Sequence, residues 1–235
     1  MARGPRIILP DQPLHIMQRG NNRCSTFVNP RDFGLFLSLL RQAASDAQCA
    51  IHAFILMSNH VHLLTTPATT TGPSQMMKVV TETYAKYYNQ LHGRTGTLWE
   101  GRYRSILVDS DEYFFSCSQY IELNPCRAGL AAHPRGYRWS SYHQNAGSAE
   151  KGLVVPHPLY TRLGNSDAER RAAYRDMFRL PLNTDVVDSI RFVMHHRPKV
   201  GKNSTLNERE RRAWEMLSGP TARRLPEPYA TQNGA

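Results

Sequence analysis

Seventeen residues constrain this chain more than any other stretch. Residues 50–57 (AIHAFILM) are apolar and β-prone, Ser58 and Asn59 are polar turn formers, and residues 60–66 (HVHLLTT) resume a strand pattern. Two such runs separated by two residues read as a β-hairpin with a tight turn. An isolated hairpin is marginal in water, so the chain must supply further strands or helices to cover it.

The flanking sequence supplies them. Residues 13–19 (PLHIMQR) alternate apolar and polar side chains and form a first strand candidate, followed by the turn-rich loop Arg19-Gly20-Asn21-Asn22-Arg23. Asn29 then stands as an N-cap before Pro30, with Phe33, Phe36, Leu37, Leu39 and Leu40 at helical spacing. After the hairpin, residues 74–91 carry Met76, Met77, Val79, Val80, Tyr84, Tyr87 and Tyr88 near helical spacing, and Gly93 stops the run. Residues 103–108 (YRSILV) are a fourth strand candidate. Asp109, Ser110 or Asp111 can cap a third helix that runs to about Asn124 and ends at Pro125. The order strand, helix, strand, strand, helix, strand defines an α+β protein. It predicts a ferredoxin-like split βαββαβ antiparallel sheet with helices on one face.

After Tyr142 the character changes. Residues 147–158 are linker-like, 168–178 and 207–217 read as short helices, and 201–205 and the Pro/Arg-rich end from Gly219 read as loose. The expected organisation is a unit over 5–145 followed by an accessory, mainly helical C-terminal extension over 146–235.

Charge narrows the class. Against 19 acidic residues stand 29 Lys and Arg, a formal net charge of +10, which favours a polyanionic partner. The 40% apolar content argues against wholesale disorder. No apolar run approaches the roughly 18–20 residues of a membrane span, and the start carries too short an apolar run for a signal peptide. Cys24, Cys49, Cys117 and Cys126 lie far apart with no CxxC pair. They read as reduced thiols in a cytoplasmic protein rather than a disulfide frame or zinc ribbon.

Three features carry candidate chemistry. His60-Val61-His62 places two imidazoles on one face of a strand, where they can converge on one metal ion or simply be polar residues of an amphipathic strand. Tyr120 lies in residues 114–124 (FFSCSQYIELN), with Asn124 one helical turn later on the same face. A phenol aimed in line can attack a phosphodiester, and the amide oxygen suits Mg²⁺ or Mn²⁺; alternatively the ring packs in the core. The third feature is a basic and aromatic belt of Tyr84, Lys86, Tyr87, Tyr88, Arg94, Trp99, Arg102, Tyr103 and Arg104, joined by Arg19 and Arg23. Cations suit phosphates and aromatic faces suit unstacked bases, although each ring has an equally good reading as core.

In sequence order, residues 19–27 (RGNNRCSTF), 57–64 (MSNHVHLL), 87–105 (YYNQLHGRTGTLWEGRYRS), 120–130 (YIELNPCRAGL) and 137–142 (YRWSSY) resemble the single-tyrosine HUH transposases, specifically the REP-associated branch. The resemblance implies that His60 and His62 match the His-hydrophobic-His metal pair, Tyr120 the nucleophile and Asn124 the third ligand. It implies a divalent ion as cofactor and single-stranded DNA beside palindromic hairpins as partner, cut through a tyrosine joined to the 5′ phosphate with release of a 3′ hydroxyl. Glu100 stands where a glutamine is commoner, and Cys126 where valine often appears. No P-loop pattern is visible, in keeping with chemistry that needs no nucleotide cofactor. The resemblance places the protein in the cytoplasm, on the nucleoid when bound to DNA, and favours a monomer over a homodimer that exchanges tyrosine helices. A replication-initiation nuclease shares the HUH logic and is disfavoured only by the surrounding family motifs, and two rivals of other classes stand beside it. One is a non-catalytic hairpin-DNA-binding regulator. The other is an H-x-H zinc hydrolase, which would need a (β/α)₈ barrel that this element order does not offer.

Overall fold

The computed structural model describes residues 6–147, 152–196 and 208–218. Its sheet has four strands, β1 (Leu14–Arg19), β2 (Cys49–Met57), β3 (His60–Pro67) and β4 (Arg104–Leu107), in the order β2-β3-β1-β4. Every neighbouring pair is antiparallel. Helix α1 (Pro30–Asp46) joins β1 to β2, and α2 (Gly72–Leu91) joins β3 to β4. The predicted α+β class and split βαββαβ order therefore hold.

Local chemistry sets the element ends. The Asn29 side chain accepts from the Arg31 and Asp32 amides, while the Asp32 carboxylate accepts from the Val28 and Asn29 amides. This reciprocal box satisfies the donors that an α-helix leaves free at its start. Helix α2 begins at Gly72 rather than Ser74 because Pro73 fits a first turn, where its missing N–H costs nothing. Gly72 is required on steric grounds, since a Cβ there would lie 2.6 Å from the Ala47 carbonyl oxygen.

Helices α1 and α2 lie together on one face, as expected. Leu14 and Ile16 of β1, and Val61 and Leu63 of β3, share a buried core with Phe36, Leu40, Met76, Met77 and Tyr84 of those helices. The opposite face is also covered, which the one-face expectation did not include. Helix α3 (Asp111–Glu122) packs there through Phe114, Cys117 and Ile121, against Ala53, Ile55 and Leu64 of the sheet. The nearly continuous apolar run of β2 follows from this, since a strand buried on both faces has no polar side to show. Pro125 does not end the helix. Helix α3 stops at Glu122, and Pro125 lies in the first turn of a following short helix, α4 (Asn124–Arg127).

The extension completes the second face. The first unit closes with the short helix α5 (Tyr142–Asn145), and the extension's helices are α6 (Pro158–Thr161), α7 (Asp167–Asp176), α8 (Thr184–His196) and α9 (Glu208–Ser218). Tyr174, Met177, Val187, Ile190, Val193, Met194, Ala213 and Leu217 join the α3 core. The two expected helices of this region correspond to α7 and α9, whereas α8 was not anticipated. The described part of the linker-like stretch hooks onto the edge of β2, where the Val155 amide donates to Ile51 O at 2.7 Å. The stretches expected to be loose, 201–205 and from 219 onward, lie outside the described residues.

Candidate active site

The period of two along β3 sends His60, His62 and Leu64 toward α3, while Val61 and Leu63 face α1 and α2. Antiparallel pairing places Met17 opposite His62 and Arg19 opposite His60. The two ring centroids of His60 and His62 are 5.2 Å apart. The Tyr120 ring, carried by α3, lies 5.7 Å from that of His62. Asn124 opens α4 and lines the same cavity as His60.

The proton positions on these imidazoles follow from their neighbours. Asn59 Nδ2 donates to Arg23 O at 3.1 Å, so its Oδ1 is left to face His60 Nδ1 at 2.6 Å. An amide oxygen only accepts, so His60 carries its proton on Nδ1 and keeps a lone pair on Nε2. The loop that begins with Arg19-Gly20 is what holds Asn59 there. Gly20 N donates to Asn59 O, and a Cβ on Gly20 would lie 2.3 Å from Cys24 O.

His62 has a different partner. Its Nδ1 lies 2.9 Å from Nε2 of His15, a wholly buried residue of β1. When His62 donates from Nδ1, its Nε2 lone pair is free, and His15 then holds its own proton on Nδ1. That His15 atom has no hydrogen-bond partner, so the arrangement costs about 1–3 kcal/mol. Burial pushes His15 down to about 3. Burial, then the Arg19 charge, push His60 down to about 4, with the Asn124 hydrogen bond opposing. Burial first, then the neighbouring imidazoles and Arg127, hold His62 well below the usual histidine range. All are neutral at pH 7, as ligation by nitrogen requires.

Among the described residues, no three His, Cys, Asp or Glu side chains gather into a metal-holding group. A metal ion held by the two imidazoles would therefore need a third donor of another residue type. Two imidazole nitrogens and the Asn124 carboxamide oxygen form a mixed set that suits a divalent ion such as Mg²⁺ or Mn²⁺.

Tyr120 is 6% exposed, and burial pushes its phenol upward while Arg127 and Arg191 pull it down. The Arg127 guanidinium lies 4.3 Å from the Tyr120 ring centroid, and its Nη2 donates to the Tyr120 carbonyl oxygen. Arg191, from α8, lies close enough for its charge to act on the phenol. These groups line a cavity of about 280 Å³ that also includes Arg19, His60, His62 and Asn124. Sequence reasoning missed His15, Arg127 and Arg191. His15 shares the strand alternation of β1, and Arg127 follows Asn124 by three residues, but nothing local marks Arg191.

The belt divides in two. Tyr84, Tyr88, Trp99 and Tyr103 are buried, which corrects their reading as base-stacking residues. Tyr84 and Tyr88 lie on the inner side of α2 and donate to Thr26 O and Ser25 O, at 2.6 and 2.9 Å. Trp99 Nε1 donates to Thr81 O, and the Tyr103 hydroxyl meets Ser74 Oγ. Tyr87 and Arg94 are half-buried, with Arg94 lying over the Tyr88 ring. Arg104 donates to the terminal carbonyls of α8, Met194 O and His195 O. Arg23, Lys86 and Arg102 are exposed. Arg19 alone among the belt residues reaches the cavity beside Tyr120.

An antiparallel four-stranded sheet that presents an H-x-H pair beneath a tyrosine-bearing helix defines a class of fold and site. Residues 10–124, just under half of the chain, match the family described as transposase IS200 like. That stretch is similar to an IS200-like transposase domain. Among solved structures, a REP-associated tyrosine transposase bound to a REP hairpin is similar at a TM-score of 0.53 and 14% identity, covering 68% of this chain and 93% of that one. A proposed transposase from Deinococcus radiodurans is 18% identical over 63% of this chain and all of its own, with a TM-score of 0.36. No curated protein matches the chain. Among the described residues no helix is long and apolar enough to cross a membrane.

Proposed function

We propose that this protein nicks and rejoins single-stranded DNA beside palindromic, REP-like hairpins through a tyrosine-linked 5′-phosphate, with residues 5–145 as the catalytic unit. The observation that carries this reading is the meeting of His60, His62, Asn124 and Tyr120 at one arginine-lined cavity. The similar structure that holds a REP hairpin supports the choice of DNA.

His60, His62 and Asn124 would hold the divalent ion, which when bound supplies charge to a non-bridging phosphate oxygen. The chain's own residues do the rest. Asn59 and His15 fix the two imidazole rings, and α3 fixes the direction of attack. The Tyr120 oxygen bonds to phosphorus as the bond to the 3′ oxygen breaks. A phosphodiester is exchanged for another phosphodiester, so the released 3′ hydroxyl can reverse the step without ATP. Arg127 and Arg19 offset negative charge at the phosphate.

The test uses a labelled pool of single-stranded DNA hairpins with randomised flanks, incubated with the protein and Mn²⁺. A denaturation-resistant protein–DNA band is expected from the wild type and none from Tyr120→Phe, with hairpin affinity kept within a few-fold. The double variant His60→Ala/His62→Ala should also lose the band. Hairpin binding with no band from the wild type would assign the protein to regulation by binding alone.

A further inference from the structure

The matched family stretch ends at residue 124, yet the cavity does not. Arg191, Met194 and His195 of α8 form part of its lining. We propose that Arg191 is a catalytic residue of this site, its guanidinium holding a non-bridging oxygen of the scissile phosphate beside the Tyr120 hydroxyl. The inference rests on the nicking reading above and deepens it, because it assigns a reacting role to the C-terminal extension.

Three observations support it. The first is anchorage. Val187, Ile190, Val193 and Met194 seat α8 in the core shared with α3. Arg104 of β4 donates to Met194 O and His195 O at 3.4 and 3.3 Å, where a cation also complements the negative end of the helix. Arg191 is thus delivered by a fixed helix. It lines the cavity beside Tyr120, and its charge acts on the phenol, while about half of its side chain stays exposed, at 52%. A guanidinium in that position can meet an incoming phosphate without α8 moving.

The second is charge. Arg19, Arg127 and Arg191 converge on the cavity, and none of its described lining residues is acidic. Asp188, on the same helix, approaches Arg191 Nη1 at 3.4 Å but does not line the cavity. Guanidinium groups held close together repel, and an anion between them removes that repulsion.

The third is an orphan atom. Arg127 Nη1 is buried with no hydrogen-bond partner, although its Nη2 is committed to the Tyr120 carbonyl. A buried charged donor is costly to leave unpaired. A tetrahedral phosphate in the cavity offers oxygen acceptors to both arginines, with Arg127 beneath the ring and Arg191 at the hydroxyl.

The step balances without either arginine changing its protonation. The Tyr120 O–P bond forms, the P–O3′ bond breaks, the phenol proton passes to solvent, and the departing 3′ oxygen takes one up. Arg191 stays cationic throughout and contributes position and charge.

The experiment uses the full chain, Mn²⁺ and a hairpin captured as an adduct by wild-type protein from the randomised pool. Arg191→Ala should slow adduct formation at saturating DNA by on the order of 100-fold. Arg191→Lys should recover part of the rate, since an ammonium keeps the charge but loses the planar fork. For both variants the unfolding midpoint should stay at the wild-type value and hairpin affinity should stay within a few-fold. An Arg191→Ala rate equal to or above wild type, with the wild type active, would overturn the role of Arg191 and leave the nicking function standing. Absence of any wild-type adduct would instead overturn the nicking function, and this inference with it.

Discussion

His15 Nε2 and His62 Nδ1 lie 2.9 Å apart on neighbouring strands, both side chains buried. This contact fixes the ring of one proposed ligand through a residue on the neighbouring strand. His60 is fixed separately, by Asn59 at the hairpin turn. The two imidazoles are therefore oriented by independent partners before any ion arrives.

Replacing His15 with Phe keeps the apolar volume and removes the acceptor. Loss of an outer partner of a ligating histidine lowers metal affinity by about 10–100-fold. Isothermal titration of the folded variant with Mn²⁺ should show that loss, and Asn59→Ala should show a similar one through His60. Wild-type affinity in His15→Phe would mean that the His62 ring is held by packing alone.

Glu122 ties α3 to the extension. Its carboxyl is wholly buried and receives Ser141 Oγ–H, Asn145 Nδ2–H and Tyr174 O–H, the last two at 3.1 Å. Burial pushes it up to about 7 against those hydrogen bonds. Glu122→Ala leaves buried donors short of an acceptor and should cost about 3 kcal/mol. Glu122→Gln should cost less, because one oxygen acceptor remains. Urea unfolding of the two variants measures the difference, and equal losses would mean that the cavity left behind, rather than the hydrogen bonds, sets the cost.

The strands, their order along the chain and the first two helices were legible because period-two and helical patterns, an N-cap and a two-residue turn all sit in local sequence. For His60, His62, Tyr120 and Asn124 two short spacings left the core reading open, and only the family resemblance singled them out; the structure brings the four to one cavity. The aromatic belt was not legible, since Tyr84 and Tyr88 at i and i+4 look alike whether they face a core or a ligand. The hydroxyl bonds to Thr26 and Ser25 decide that question, and both partners lie about sixty residues away. Arg191 escaped for a related reason: its meaning comes from α8 folding back onto a helix some seventy residues earlier. Long-range packing, not local propensity, carries that information.

Acid should destabilise the fold through His52. Its Nδ1 donates to Val155 O at 2.7 Å and its Nε2 accepts from Thr66 Oγ1 at 2.8 Å, which describes a neutral ring. Burial lowers it from 6.5 to about 4, with the Val155 hydrogen bond opposing. In the unfolded chain it takes up a proton near pH 6.5, and in the folded protein only near 4. Stability is therefore full above 6.5, falls as pH drops through that window, and is level for this group below 4. The contribution is roughly 3 kcal/mol. Urea midpoints measured from pH 7 to 4 should decline for the wild type and less steeply for His52→Gln; parallel curves would remove His52 as the source.

Splitting the belt into buried rings and exposed cations predicts two kinds of variant. Arg23→Ala, Lys86→Ala and Arg102→Ala each remove an exposed positive charge. If these cations meet phosphates, each loss should weaken hairpin binding and flatten the dependence of log K on log salt by about one unit. Tyr84→Phe removes only the bond to Thr26 O. It should lower unfolding stability by about 1 kcal/mol and leave the salt dependence unchanged. Fluorescence anisotropy of a labelled hairpin across a salt series reads both. A flattened slope in Tyr84→Phe, with stability intact, would return that ring to the DNA.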